Sequence, residues 1–390
     1  MLIPVTISVF SLLAMAVWAG EEGDKLDTKF EVFHDRNDVT AVSPIFLLSK
    51  GIGGHMSVDW EGQLDVVTGA SRELGTKGSG QAGTLTTAGS ILDGVSGASQ
   101  QGPWEPRAGS RVGLTWSDKG RVFSGSLYAS RERDYQSFSP AVGGSWDFGE
   151  RNTTVSWGGS WFFDKEFPYG AWALLGGGPK RVQSYNLGLS QILTPLSLVG
   201  GNVTFTRTTG YIGHPYNPVT VIDTPGFVGE HLPSKKDAVA IAGQFLQGFH
   251  LGSELGSFST EYRAYEDSWQ LKSHTVTLKW TQHLTEATIF RLQARWYRQW
   301  GAAFVKSQYV GDETYLTADI RYYPFSSYLA GAKLMSEFPD GWPGWLPRRW
   351  DLSYDHLWRN THGNMQLYQL YPADAWYMQG TARAGLSWDL

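Results

Sequence analysis

Trp376, Met378, Gly380, Ala382, Ala384, Leu386, Trp388 and Leu390 share one face of an extended chain, and Tyr377, Gln379, Thr381, Arg383, Ser387 and Asp389 share the other. A period of two marks a strand with one apolar and one polar surface. The alternation recurs along the chain. Met56, Val58, Trp60, Gly62, Leu64 and Val66 oppose Ser57, Asp59, Glu61, Gln63 and Asp65. Val155, Trp157, Gly159, Trp161 and Phe163 oppose Thr154, Ser156, Ser160 and Asp164. Phe290, Leu292, Ala294 and Trp296 oppose Arg291, Gln293, Arg295 and Tyr297. Full charges on the polar rows exclude a sandwich core on that side, although any sheet with one solvated face shows this pattern.

The connections discriminate further. Short links at 50–54, 117–120, 148–152, 193–196, 249–253 and 283–287 alternate with longer ones at 69–107, 165–181, 211–235, 302–313 and 338–348. Tight turns at one end and long loops at the other are the asymmetry of a bacterial outer-membrane barrel. The pattern predicts an all-β fold, a single transmembrane antiparallel up-and-down β-barrel over residues 20–390, with those five long loops on the outer side. It predicts about 18 strands, with 16 the next choice and an even number in either case. Segments 27–35, 327–337 and 364–371 alternate least clearly.

Composition narrows the class. The chain has 390 residues with 18 Trp, 18 Tyr and 19 Phe, many for a water-soluble domain and suited to membrane interfaces. Its mean hydropathy is −0.27, and beyond the N-terminus no run of about 18 apolar residues exists to span as a helix. The net charge of −5, without a basic cluster interleaved with aromatics, gives no ground for a nucleic-acid partner. The absence of cysteine removes disulfides, thiolate metal sites, cysteine nucleophiles and a lipoprotein anchor. Leu2 to Ala19 is apolar and uncharged and ends before the acidic Glu21-Glu22. It reads as a cleaved signal peptide over residues 1–19, with an uncleaved membrane anchor as the alternative.

The inward rows carry the candidate chemistry. Asp59, Glu61 and Asp65 project from one strand, Glu261 and Arg263 from another, and Arg291 and Arg295 from a third. Asp319 and Arg321 are assigned to a fourth strand, and Arg383 to the last. Such residues can set ion selectivity in a water-filled pore, or they can cross-link the lumen in salt bridges. Arg291 and Arg295, two pleats apart, are the best anion-attracting ladder. The nine histidines show neither His-x-His nor His-Glu-x-x-His spacing, so no metal or cofactor is expected. Asp134, Asp267 and His274, with Ser130 and Ser273, could meet at the outer rim. No Gly-x-Ser-x-Gly elbow supports hydrolysis there, and no catalytic residue is assigned.

Several segments carry a family resemblance. They are Thr68-Gly69-Ala70-Ser71, Ser130-Arg131-Glu132-Arg133-Asp134-Tyr135, Gln191-Ile192-Leu193-Thr194-Pro195, and Gly210-Tyr211 with Pro215-Tyr216. Tyr262-Arg263-Ala264-Tyr265-Glu266-Asp267-Ser268-Trp269 and Arg295-Trp296-Tyr297-Arg298-Gln299 follow in order. Together they resemble an uncharacterised bacterial outer-membrane barrel family, the domain of unknown function 3570, over roughly residues 30–305. The resemblance implies a barrel and an outer-membrane location, and no activity. The sequence reading is thus a channel or transporter passing a small polar or ionic solute. A non-conducting binding or assembly scaffold is the alternative, and an outer-membrane hydrolase the third. Its expected partners are outer-membrane lipid, a small polar solute and, during biogenesis, the barrel-assembly machinery.

Overall fold

A computed structural model of the protein describes residues 24–35, 40–68, 105–168, 173–215, 219–222, 228–338, 346–360 and 376–389. The signal-peptide segment, the 69–104 stretch and the 364–371 segment lie outside the described residues. Sixteen strands follow one another: β1 (Lys25–Asp35), β2 (Thr40–Ile52), β3 (Met56–Thr68), β4 (Glu105–Asp118), β5 (Arg121–Arg131), β6 (Tyr135–Phe148), β7 (Thr153–Glu166) and β8 (Gly178–Thr194). Then come β9 (Ser197–Gly210), β10 (Lys235–Leu251), β11 (Glu254–Asp267), β12 (Lys272–His283), β13 (Thr288–Trp300), β14 (Phe325–Glu337), β15 (Arg349–Asn360) and β16 (Trp376–Asp389). Each pairs with its chain neighbours, and β1 pairs antiparallel with β16 from Lys25↔Asp389 to Asp35↔Gln379, which closes the cylinder.

The sixteen strands among the described residues match the second choice of the sequence and displace the first, about 18. Segments 27–35 and 327–337 are true wall, lying in β1 and β14. The alternation around Asp319 and Arg321 is not a strand; it lies in the connection between β13 and β14, where Ile320–Tyr322 form one 3₁₀ turn. Short turns gather at the end where β1 begins and β16 finishes. One is the two-residue link Lys119-Gly120, with φ of 45° and 77°, a turn of the twist-matched hairpin kind that tolerates positive φ at both positions. The 338–348 connection also lies at this end, because Glu337 pairs Arg349 and Arg349 pairs Ser387 near the finish of β16. It is therefore not among the loops of the opposite end, as the sequence suggested.

Register sends each alternate residue outward. Val142, Trp157, Leu187, Ile241, Tyr262, Leu292 and Leu352 are all exposed on the outer wall, the apolar band expected of a barrel that spans a membrane. The inward rows are polar. Gly331 illustrates how this interior is fitted together. It lies inward on β14, between Gln293 of β13 and Asp355 of β15 in one cross-strand row. A Cβ on Gly331 would collide with the Asp355 carboxylate and approach Gln293 Nε2 at 2.9 Å. Through that gap Gln293 donates to Asp355 Oδ1 at 2.5 Å, and Arg383 Nη1 donates to Asp355 Oδ2 at 2.7 Å. Gly331→Leu should expel Asp355 and cost about 1.5–3 kcal/mol, the range for hydrogen bonds to a charged group. A urea midpoint in detergent unchanged from wild type would reject this account of the glycine.

Candidate functional site

The interior divides by charge. From β14 through β16 and β1 to β4, acids meet bases. Lys333 pairs Asp351 at 2.8 Å, and Arg383 on β16 reaches both Glu31 on β1 and Asp355 on β15. Glu61 pairs Arg111 at 3.0 Å. Asp65 lies 3.7 Å from Arg107, which also lies 3.7 Å from Glu132, and Asp59 accepts from Ser49 at 2.5 Å. Four predicted lumen residues, Asp59, Glu61, Asp65 and Arg383, thus belong to a stitched wall. Their partners Arg111, Arg107 and Asp355 were not singled out from sequence, because pairing needs a register.

On β11–β13 the balance differs. Glu261, Arg263, Arg291 and Arg295 all face inward as expected, and Lys279 on β12 joins them between Ser259 and Gln293. Arg291 donates to Thr281 Oγ1 at 3.3 Å, and Arg263 lies 5.5 Å from the Tyr265 ring. Below the mouth these three strands present four bases and one acid. The strands β5 to β9 offer mainly small neutral inward groups in their middle, among them Ser126, Ser139, Ser156, Ser184 and Thr204. Small inward side chains leave room for water.

Asp319 and Arg321 belong to a different device. The 301–324 connection and the 211–234 connection fold together over the long-loop end. Val219 pairs Val228, Val221 pairs Tyr309, and His231 pairs Leu316. Val219, Val221 and Tyr309 form a small apolar core of their own. A second cluster of Leu232, Trp269, Leu271, Ala302 and Tyr322 seats the assembly on the rim. Glu230 is the staple: it accepts from the His214 backbone N at 2.6 Å and from the Thr317 hydroxyl. Gln299 of β13 donates to the Arg321 and Tyr323 carbonyls at 2.7 and 2.8 Å. His214 Nε2 lies 3.8 Å from Glu166 at the tip of β7. A chain of contacts therefore crosses the mouth from β7 to β13, six strands apart in the sheet. We call it the strap.

Burial and then Arg321 pull the His214 imidazole down to about 3, so its approach to Glu166 is a dipolar contact and not an ion pair. Burial also opposes the charge on Asp319, but Arg321 beside it outweighs that and holds the carboxyl below its usual range. Burial and the neighbouring Asp319 raise Glu230, against the Thr317 and His214 hydrogen bonds. A raised carboxyl favours docking fully below its ordinary value near about 4.3, and that contribution is lost as pH rises toward the raised one. A depressed imidazole favours docking above about 6.5, and that contribution is lost as pH falls. Hydrogen-exchange protection of 301–324, corrected for intrinsic rates, should decline on both sides of an optimum. Glu230→Gln should flatten the alkaline limb and His214→Asn the acid limb; limbs that persist in the variants would assign them elsewhere.

The possible hydrolytic set does not assemble. His274 faces outward and shares a 2.6 Å hydrogen bond with the Tyr262 hydroxyl. Asp267 faces inward and caps Trp269 and Leu271 at 2.9 and 3.1 Å. Asp134 is buried in the β5–β6 turn, on another side of the barrel.

The profile of a family described as "Protein of unknown function (DUF3570)" matches residues 5–175 and 166–378. No curated protein matches the sequence. Among solved structures, CdiB from Acinetobacter baumannii superposes with a TM-score of 0.52 at 8% identity, over 95% of this chain and 61% of that one. A bacterial polysaccharide outer membrane secretin gives 0.49 at 7% identity, over 95% and 100%. OccK5 (OpdH) from Pseudomonas aeruginosa gives 0.45 at 10%, over 95% and 100%. At these identities the CdiB likeness speaks to the fold alone.

Proposed function

The chain belongs to the family described as Protein of unknown function (DUF3570), and we propose that it is an outer-membrane conduit for a small polar or ionic solute, with a preference for anions. The unequal interior carries this reading. Arg263, Lys279, Arg291 and Arg295 give β11 to β13 an excess of positive inward charge, and β5 to β9 carry mainly small neutral side chains, whereas on β14 to β4 acids and bases meet in cross-strand pairs. Water-filled pores select ions by such rows. The leader-like segment 1–19, the apolar exterior and the turn–loop asymmetry support export and an outer-membrane location.

Reconstitution in a planar bilayer should give discrete conductance steps with a reversal potential on the anion side. The strap favours a second reading, a barrel closed at rest that serves as a scaffold. A folded barrel that stays silent at all potentials, and co-purifies with a stoichiometric protein partner, would replace the first reading with the second.

A further inference from the structure

The outer wall near the strap end carries a cluster of cations that the conduit does not use. Lys165 on β7, Arg181 on β8, and Arg207 and Lys235 on β9 and β10 all face outward, away from the lumen. Their registers place them in a diagonal chain. Lys165 pairs Pro179, two residues from Arg181; Arg181 pairs Thr209, which also pairs Lys235; Arg207 pairs Gln183 and Asp237. Neighbours along this chain are diagonal or near-opposite residues, with backbones about 5–8 Å apart, within reach of one another's long side chains. Lys165 and Arg181 are exposed, and the Lys235 side chain is 58% accessible. Among the described outward residues at this rim of β5–β10 the single acid is Asp237, which holds Arg207 at 2.7 Å and Lys235 at 3.2 Å.

Directly beneath, on the same outward face, the wall becomes apolar: Phe163, Trp161, Tyr185, Phe205, Val239 and Ile241. Phe163, Tyr185, Val239 and Ile241 are all strongly exposed. Trp161 Nε1 donates to the Tyr185 hydroxyl at 3.2 Å, an edge-on pair of the type that settles at a membrane interface.

We propose that this face is a seat for an anionic lipid headgroup bearing phosphates, in the outer leaflet. The cations span four strands, about 14 Å at the usual strand spacing, wide enough for a headgroup with two phosphates. Arg181 and Arg207 supply forked donors suited to phosphate oxygens. A free anion would satisfy the cations but would leave the apolar wall beneath without a partner; a lipid fills both. Asp237 orients Arg207 and leaves the cluster with a net charge of three positives. The inference rests on the outer-membrane reading above, but its test reads lipid and not conductance, so a silent barrel leaves it standing.

The test uses the full chain folded in detergent micelles doped with a bis-phosphorylated glucosamine glycolipid, its dephosphorylated form, or phosphatidylcholine, read by native mass spectrometry. The wild type should retain the phosphorylated glycolipid about tenfold better than either of the others, and Lys165→Gln/Arg181→Gln should lose most of that preference. Asp237→Asn should retain it at least as well as wild type. Arg121→Gln, at the other rim beside Trp146, should change nothing. Equal retention of phosphorylated and dephosphorylated lipid overturns the proposal, as does an unaltered preference in Lys165→Gln/Arg181→Gln. Displacement of the glycolipid by equimolar inorganic phosphate would identify the site as one for a soluble anion, and overturns it too.

Discussion

Replacing residues 302–323 with a short Gly-Ser turn is expected to raise single-channel conductance several-fold. The wall does not need the strap: β13 and β14 pair from Thr288↔Ser336 to Gln299↔Phe325 without it. What the replacement removes is the bridge from Gln299 across to the 211–215 segment and the tip of β7. Glu230→Ala cuts the same bridge at one point. It leaves the Thr317 hydroxyl and the His214 backbone N–H without their shared acceptor, a loss of roughly 1–3 kcal/mol for buried groups. At about 1.4 kcal/mol per factor of ten, docked and undocked straps would then exchange, and the current should flicker between two levels. Both variants conducting as the wild type does would show that the strap crosses the mouth without narrowing the path.

Reversing Arg291 and Arg295 to Glu should carry the reversal potential from the anion side to the cation side. The double substitution changes the charge of one inward face by four. Each charge at about 4 Å in water is worth about 1 kcal/mol, and the effect is greatest below about 0.1 M salt, where screening lengths exceed about 10 Å. Arg383→Gln makes the contrasting case. Its charge is already answered by Glu31 and Asp355, so it should lower the urea midpoint and leave selectivity nearly unmoved. A reversal potential indifferent to Arg291 and Arg295 would remove them from any filter.

The wall was legible in the sequence because a strand writes its two faces into alternate residues, and here the outward rows are apolar and the inward rows polar. Asp59, Glu261, Arg291 and Arg383 face inward for that reason. The partners of the charges were hidden: Glu61 and Arg111 are 50 residues apart, and a register slip of one residue would turn either of them to the lipid. The strap was misread because Thr317, Asp319 and Arg321 alternate with Leu316, Ala318 and Ile320 as a strand would. Their backbone finds its partners in His231, paired to Leu316 from 85 positions away, and in Gln299, 22 positions from Arg321, instead of a ladder. Gly331 was unreadable for a related reason: a glycine's role there is the space it leaves for Asp355.

The pairing of β1 with β16 also gives the chain a form of proofreading. Until the last 14-residue strand is laid down, β1 and β15 both present unpaired backbone along their full length, and such edges recruit other strands or proteases. Arg383, whose guanidinium reaches a carboxylate on each of those two neighbours, can form its bonds only when the circle is complete. A chain cut short by even this one strand therefore lacks both its seam and the latch across it.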